Sequence, residues 1–230
     1  MRTIIWDFDG TLAERREGWS GAIVQAIREA HPASAIAPAQ IRAFLRTGFP
    51  WHAHERHHPE LADADAWWAA LLPVFEAAMR GAGIAAHEAR AIAPRVREIY
   101  LHPREWFLFD DTHAALELLS QHGWRHVVFS NHVPELESII EFLGLRHRIA
   151  SIFNSAHIGY EKPHARAFGH VLEALGPCDS LWMIGDSMTA DIAGARAAGI
   201  PAILVRKRHA DAPAFCDSLA DIASILHRLE

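Results

Sequence analysis

The chain opens on an apolar run, Thr3-Ile4-Ile5-Trp6, cut off by Asp7-Phe8-Asp9-Gly10-Thr11. A short continuous apolar stretch ended by a turn signal describes a strand buried on both faces. Side chains alternate along such a strand, which sets Asp7 and Asp9 toward one cleft and Phe8 into the core. The period then changes. Trp19, Ile23, Ala26, Ile27 and Ala30 recur at helical spacing, and Pro38 opens a second helix that runs to about Arg46 with Gly48 beyond it. A third helix carries Trp67, Trp68, Leu71, Leu72, Phe75 and Met79, and a fourth carries Ile92, Val96 and Ile99. Pro73 and Pro94 should kink or offset two of these, because proline lacks a backbone donor. No strand is expected in this part of the chain.

From about Trp106 apolar strands and amphipathic helices alternate. Asp111 or Thr112 reads as an N-cap, 114–120 as a helix stopped by Gly123, and 126–129 as a buried strand. A helix opened by Pro134 follows, then a strand at 151–153, a helix at 163–175, a strand at 181–184, a helix at 189–198, a strand at 202–205 and a last helix from about Ser218. Such alternation builds a parallel sheet covered by helices on both faces, and ligands bind beyond the carboxyl ends of its strands. The chemically informative residues fall at those ends: Asp7 and Asp9, then Ser130 and Asn131, then Gly185, Asp186 and Ser187.

At 230 residues the chain has room for one α/β core with a second, smaller unit inserted. Its net charge of -6 disfavours nucleic acid or an anionic membrane as partner. Cys178 and Cys216, the only cysteines, carry no stapling or metal-ligand spacing and are expected as free thiols. The apolar start is too short for a signal-peptide core and no later stretch approaches a membrane span, so a cytoplasmic location is expected. Of 22 basic residues only Lys162 and Lys207 are lysines, which makes each of them informative.

Two carboxylates sharing a cleft divide naturally into a nucleophile and a proton carrier, and Gly10 permits a sharp turn around a bound anion. An acidic turn without chemistry is the alternative for this segment alone. Ser130 and Asn131 supply short hydrogen-bonding groups where a phosphate would rest, although such residues are also common in strand-to-helix turns. Lys162, in Glu161-Lys162-Pro163, is a compact charge at an unfavourable helix start, which suits it to a phosphoryl oxygen or a carboxylate. Asp186, with the Asp7 carboxylate and the Asp9 carbonyl, offers oxygen ligands of the kind magnesium takes. Asp191 either caps the following helix or orients Lys162 or a metal-bound water, with Ser187 beside it.

Together these residues resemble the haloacid dehalogenase superfamily of phosphotransferases, whose four motifs occur here in order as Asp7-Phe8-Asp9-Gly10-Thr11, Ser130, Lys162, and Gly185-Asp186-Ser187 with Asp191. The resemblance covers nearly the whole chain. It implies a doubly wound, Rossmann-like parallel sheet of order 3-2-1-4-5, with a core of residues 1–14 and 105–230 and an all-helical cap of residues 15–104. Asp7 would form an aspartyl-phosphate, with Asp9 as general acid and then base. Gly10, Thr11, Ser130, Asn131 and Lys162 would hold the phosphate, and Asp7, Asp9 and Asp186 would hold Mg2+. The substrate would be a small phosphorylated metabolite and the protein a monomer or homodimer.

Members that cleave carbon–halogen bonds lack the second aspartate, and Asp9 is present. Phosphonate-cleaving members need a cap lysine, and no lysine lies between Thr11 and Lys162. A phosphosugar mutase remains the alternative enzyme, and a binding module without catalysis is the alternative outside enzymes. Gly18 and the stretch 102–105 bracket the insert as expected hinges. Within it, His52, His54, His57 and His58 read as a solvated loop or pocket rim, with a second metal site as the other reading. Trp67 and Trp68 read as core packing, and Arg15, Arg46 and Arg56 are candidates for touching the substrate's non-reacting part.

Overall fold

In the computed structural model, which describes residues 1–229, the opening apolar run forms β1 (Arg2–Trp6) at the centre of a parallel sheet. The chain continues through β2 (Ala13–Arg15), β3 (Trp106–Leu108), β4 (Trp124–Ser130), β5 (Ser151–Asn154), β6 (Ser180–Gly185), β7 (Ala202–Val205) and β8 (Phe215–Cys216). Six of these strands form the sheet in the order β5-β4-β1-β6-β7-β8, all parallel. The expected order 3-2-1-4-5 is therefore present, extended by the two-residue edge strand β8. In the register, Trp6 pairs with Val128 on one side and Ile184 on the other. Asp7, Ser130 and Gly185 consequently leave the sheet at one level, where chain order reverses around β1.

Alternation along β1 divides the core. Ile4 and Trp6 pack on one face with Val128, Ile184, Leu116 and Leu226, while Ile5 packs on the other with Val127, Phe129, Phe168 and Met183. Those residues are buried, as burying both faces of a parallel sheet requires.

Between β2 and β3 lies a helical insert: α1 (Gly18–Ala30), α2 (Pro38–Arg42), α3 (Ala64–Gly81), α4 (Ala86–Ile92) and α5 (Arg95–Tyr100). After it come α6 (Thr112–Gln121), α7 (Leu136–Phe142), α8 (Ser155–Ile158), α9 (Ala165–Leu175), α10 (Gly194–Ala197) and α11 (Ile222–Leu229). Helix α2 stops at Arg42, short of the expected Arg46, and the chain turns at Gly48 with φ 95°. Pro94 separates α4 from α5, whereas Pro73 is accommodated inside α3. Trp67 and Trp68 are buried.

The expectation that no strand lies near the start of the insert is corrected by β2, which pairs antiparallel with β3 through Arg15 opposite Trp106. Three-residue strands carry too little periodicity to be read, and only their long-range pairing forms them. The expected hinges at Gly18 and 102–105 therefore sit beside a hydrogen-bonded ribbon. Arg15 ties it further, donating to the carbonyls of Tyr100, Ile99, Arg16 and Gly18 at 2.9 to 3.1 Å. Among the described residues no helix is long and apolar enough to cross a membrane, and Cys178 and Cys216 are both free.

Candidate active site

Beyond β1 the backbone closes a tight turn on itself. Leu12 and Ala13 donate to the Phe8 carbonyl at 3.0 and 3.1 Å, and the Gly10 N–H donates to the Ala13 carbonyl at 2.8 Å. Gly10 has φ 86°, and a Cβ there would fall 2.4 Å from Asp186 Oδ2. Glycine is required at this position both by conformation and by the approach of a carboxylate.

Asp7 collects donors. Ser130 Oγ gives it a hydrogen bond of 2.9 Å and Lys162 Nζ one of 2.8 Å, both to Oδ1, while the Thr11 hydroxyl faces Oδ2 at 3.4 Å. Lys162 is buried, and its ammonium also donates to the Phe129 carbonyl at 2.8 Å and to Asp191 Oδ1 at 2.6 Å. Burial alone would push this amine toward neutrality. Asp191, then Asp7, outweigh that and hold it above its ordinary range. Burial raises the Asp191 carboxyl, and the Lys162 ammonium opposes the rise. The other oxygen of Asp191 accepts the Ser187 N–H at 2.9 Å.

The segment after β6 is a π turn, Met188–Ala193, followed by α10, where a regular helix over 189–198 was expected. Ser187 caps it by accepting the Ala190 N–H at 3.1 Å, so the cap is Ser187, and Asp191 serves Lys162. Such turns re-aim one side chain relative to a regular helix and recur at functional sites. Gly185 is needed beneath it, because a Cβ there would fall 2.2 Å from Asp191 Oδ2.

Asp7, Asp186 and Asp191 bring one carboxylate oxygen each within 4.8 Å of one another. Asp191 is held by Lys162 at 2.6 Å and by the Ser187 N–H at 2.9 Å, whereas Asp7 Oδ2 meets only the Thr11 hydroxyl at 3.4 Å and Asp186 faces Lys207 through Oδ2, so Asp7 and Asp186 are the carboxylates with the more open oxygens for a cation. Hard oxygen donors on a Gly10 turn without a side chain fit magnesium, with the Asp9 carbonyl as the third candidate ligand. Burial and then Asp7 raise the Asp186 carboxyl, while Lys207, whose ammonium contacts Asp186, lowers it. Asp9 keeps more than a third of its surface open to the cleft. Crowding by protein, then Asp7 and Asp186, nevertheless push its carboxyl up to about 7.

A cavity of about 390 Å³ opens over this group, lined by Asp7, Asp9, Ser130, Asn131 and Lys162 from the core and by Trp19, Trp51, His54 and Tyr100 from the insert. Residues 1–199 match the haloacid dehalogenase-like hydrolase family. The chain belongs to that family. It is 28% identical over 228 residues to the bovine (Bos taurus) haloacid dehalogenase-like hydrolase domain-containing protein 3, covering 95% of this chain and 87% of that one. It is 31% identical over 134 residues to the phosphoserine phosphatase of Thermus thermophilus, covering 57% of this chain and 53% of that protein. Among solved structures, the HAD-hydrolase YfnB of Bacillus subtilis bound to magnesium superposes over 98% of each chain with a TM-score of 0.75 at 21% identity.

As a haloacid dehalogenase-like hydrolase the chain has its motif residues together, with several duties redistributed. The amide of Gly10 is spent closing its own turn, and that of Thr11 donates to the Phe8 carbonyl at 3.2 Å, so neither N–H is offered to an anion. Thr11 is fully buried beneath Asp7. The Asn131 side chain donates to the Lys162 carbonyl at 2.9 Å and accepts the Lys162 N–H at 2.7 Å. It therefore positions the lysine while lining the cavity over Asp7. Lys162 stands two residues ahead of His164, the cap of α9.

Arg15 spends its guanidinium on backbone carbonyls, and neither it nor Arg46 nor Arg56 lines the cavity over Asp7. The four clustered histidines face four different neighbours. His52 accepts the Phe49 N–H at 3.3 Å, His54 lines the cavity, His57 stacks on Tyr160 at 4.4 Å, and His58 is buried 3.4 Å from Glu161. Sequence reasoning missed Lys207, whose signal was its rarity, and His132, a buried cavity residue whose imidazole burial pushes down to about 4. It also missed Glu161, for which the sequence carried no signal.

Proposed function

We propose that this hydrolase is a magnesium-dependent phosphatase acting on a small phosphomonoester through an aspartyl-phosphate on Asp7. The observation that carries this reading is the crowding around Asp7: Ser130 and Lys162 donate to one oxygen, Asp186 lies within cation-sharing distance, and Asp9 titrates near neutrality. The kinship to phosphoserine phosphatase supports it.

In the first half-reaction an Asp7 oxygen attacks phosphorus, the bond from phosphorus to the substrate's alkoxide oxygen breaks, and Asp9 protonates that oxygen as it leaves. In the second, Asp9 takes a proton from water, which attacks the phosphoryl group, and the Asp7 carboxylate is restored with release of phosphate. A carboxyl near 7 exists in both protonation states at neutral pH, which this alternation requires. Lys162 and Ser130 hold Asp7 by one oxygen, and Lys162 brings positive charge beside the transferring group. Magnesium on Asp7, Asp186 and the Asp9 carbonyl would supply further positive charge to offset that of the phosphoryl oxygens. Residues 15–104 would serve as a cap over a core of 1–14 and 105–230, closing the cavity to bulk water.

The test is phosphate release from a panel of phosphomonoesters, with magnesium and with chelator, by wild type and Asp7→Asn. Release that needs both magnesium and Asp7 is expected. A rate that survives Asp7→Asn unchanged would overturn the proposal, and transfer to a sugar phosphate in preference to water would assign a mutase.

A further inference from the structure

Two cavities meet at Asp9, Trp19 and Trp51, and the rest of their linings differ in chemistry. The one over Asp7 is walled on its far side by Trp19, Trp51 and Tyr100, with Val133 from the core. Its neighbour, of about 680 Å³, lies on the Asp186 and Lys207 side, is lined by Arg42 and Arg206, and does not reach Asp7. Ser130 and Lys162, which mark the phosphoryl position, line only the first. A leaving group attached to a phosphoryl group at Asp7 therefore extends into the aromatic chamber.

That wall is a built surface. Trp19 stacks on Tyr100 with centroids 3.7 Å apart, and Trp51 stacks on Phe49 at 4.7 Å, so the rings are fixed before any ligand arrives. Trp19 and Trp51 both remain partly exposed, so ring surface is left for contact. Charge in this chamber is one-sided: Asp7, Asp9 and Asp191 line it, and Lys162 is its only lysine or arginine. All three N–H groups of Lys162 already have acceptors in Asp7, Asp191 and the Phe129 carbonyl. A carboxylate or second phosphate on the leaving group would be desolvated among acidic residues without a counter-charge.

Resting on the phosphatase reading above, we infer that the substrate's leaving group is a flat, uncharged ring, an aryl or arylmethyl alcohol, held against Trp51 and Trp19. Small charged leaving groups such as those of phosphoglycolate and phosphoserine are disfavoured there, since Arg42, Arg206 and Lys207 line only the neighbouring cavity. His54 is the one other titratable side chain the insert contributes to this wall besides Tyr100, placed to meet a polar substituent on the ring.

The test compares esters of similar intrinsic reactivity. Benzyl phosphate, 4-carboxybenzyl phosphate, ethyl phosphate and phosphoglycolate are assayed with wild type, Trp51→Ala and Trp51→Phe in magnesium, with acetyl phosphate as a substrate whose small activated leaving group reports competence of Asp7 alone. In parallel, calorimetry measures binding of benzylphosphonate and 4-carboxybenzylphosphonate, which needs no turnover. The expected result is a kcat/KM for benzyl phosphate about tenfold or more above that for the carboxylated ester and phosphoglycolate. Trp51→Ala should raise KM for benzyl phosphate about tenfold, a larger rise than for ethyl phosphate, and be rescued in part by Trp51→Phe. Equal or better use of the carboxylated ester, or an equal loss on every substrate in Trp51→Ala, overturns the inference. If Trp51→Ala does not fold, the wild-type comparison and Trp51→Phe still decide. If acetyl phosphate is not hydrolysed the phosphatase reading fails, and the ranking of the two phosphonates then shows separately whether the chamber selects an uncharged ring.

Discussion

Lys162 Nζ stands 2.6 Å from Asp191 Oδ1, inside a site where the same ammonium also holds Asp7. Asp191 is itself anchored by the Ser187 N–H on the π turn after β6, so the lysine is aimed by a carboxylate that is itself held in place. The pair links the strand end bearing Asp7 to the loop bearing Asp186.

Replacing Asp191 by asparagine keeps the shape and removes the charge. The Lys162 ammonium then keeps one carboxylate partner, and its aim at Asp7 loosens. We expect kcat to fall about 10- to 100-fold, as for other groups that orient a charged partner in a site. Steady-state rates of Asp191→Asn beside wild type check this, and an unchanged kcat would assign the aiming of Lys162 to Asn131 and Phe129 instead.

Asp9→Asn separates catalysis from stability. Loss of the proton carrier should lower kcat by about 10²- to 10⁴-fold. Stability should move the other way. The native carboxyl is raised to about 7 from an ordinary 3.8, so the native state favours the protonated form. Its contribution is complete below pH 3.8 and is lost as pH rises through 7. The shift corresponds to about 4 kcal/mol, discounted for the open face of Asp9 to about 1–2 kcal/mol. In magnesium-free thermal melts Asp9→Asn should exceed wild type at pH 8 and match it near pH 4. Equal Tm values at pH 8 would contradict the raised carboxyl.

His126 makes the fold acid-sensitive away from the site. It is buried in the core with Nδ1 accepting the Trp6 indole N–H at 3.0 Å, so its neutral form carries the proton on Nε2, 3.1 Å from the Leu116 carbonyl. Protonating Nδ1 would set two donors against each other. Burial lowers the imidazole from 6.5 to about 4. A depressed histidine contributes stability that is whole above pH 6.5 and is lost as pH falls to 4, about 3 kcal/mol in all. Urea midpoints between pH 7 and 4 should fall less in His126→Gln than in wild type, and parallel curves would contradict the assignment.

His58 of the insert and Glu161 of the core are both buried and face each other at 3.4 Å, without an aligned hydrogen bond between them. Burial alone would lower the His58 imidazole, and the Glu161 carboxylate outweighs it, so the group is raised above 6.5. The pair's contribution is therefore complete below pH 6.5 and lost as pH rises through the raised value. His58→Ala strands a buried carboxylate beside Lys162 and should cost about 3–5 kcal/mol at pH 6. A double-mutant cycle with Glu161→Gln checks it, since additive losses would mean the two do not interact.

Much of the fold was legible because its signals are local. The run Thr3 to Trp6 forms β1, and Ala202 to Val205 forms β7 at the expected bounds, because a buried parallel strand needs continuous apolar residues. The placement of Asp7, Ser130 and Asp186 in one crevice followed from strand ends in a doubly wound sheet. The ribbon β2–β3 and the edge strand β8 were not legible, being two or three residues long and formed only by their partners. Asp111 shows the same limit. It reads as an N-cap, yet its carboxylate accepts from Arg206 at 2.7 Å and from the Ser218 hydroxyl and the Leu219 N–H at 2.8 Å, tying α6 to the end of the chain.

The amino-acid sequence by itself determined the alternation of strands and helices, the helical nature of the insert and the acidic, lysine-bearing composition of the site, because periodicity and residue type act over a few neighbours; the strand order around β1 came from the family resemblance. Only the tertiary structure decided which polar groups remain free. Asn131 clamps the Lys162 backbone, the amides of Gly10 and Thr11 close their own turn, Arg15 is consumed by carbonyls, and Trp19 and Trp51 form the wall facing Asp7. The reason is that buried hydrogen-bonding groups must find partners, and for Asn131 and Arg15 those partners lie tens of residues away in the chain, where no local pattern records them.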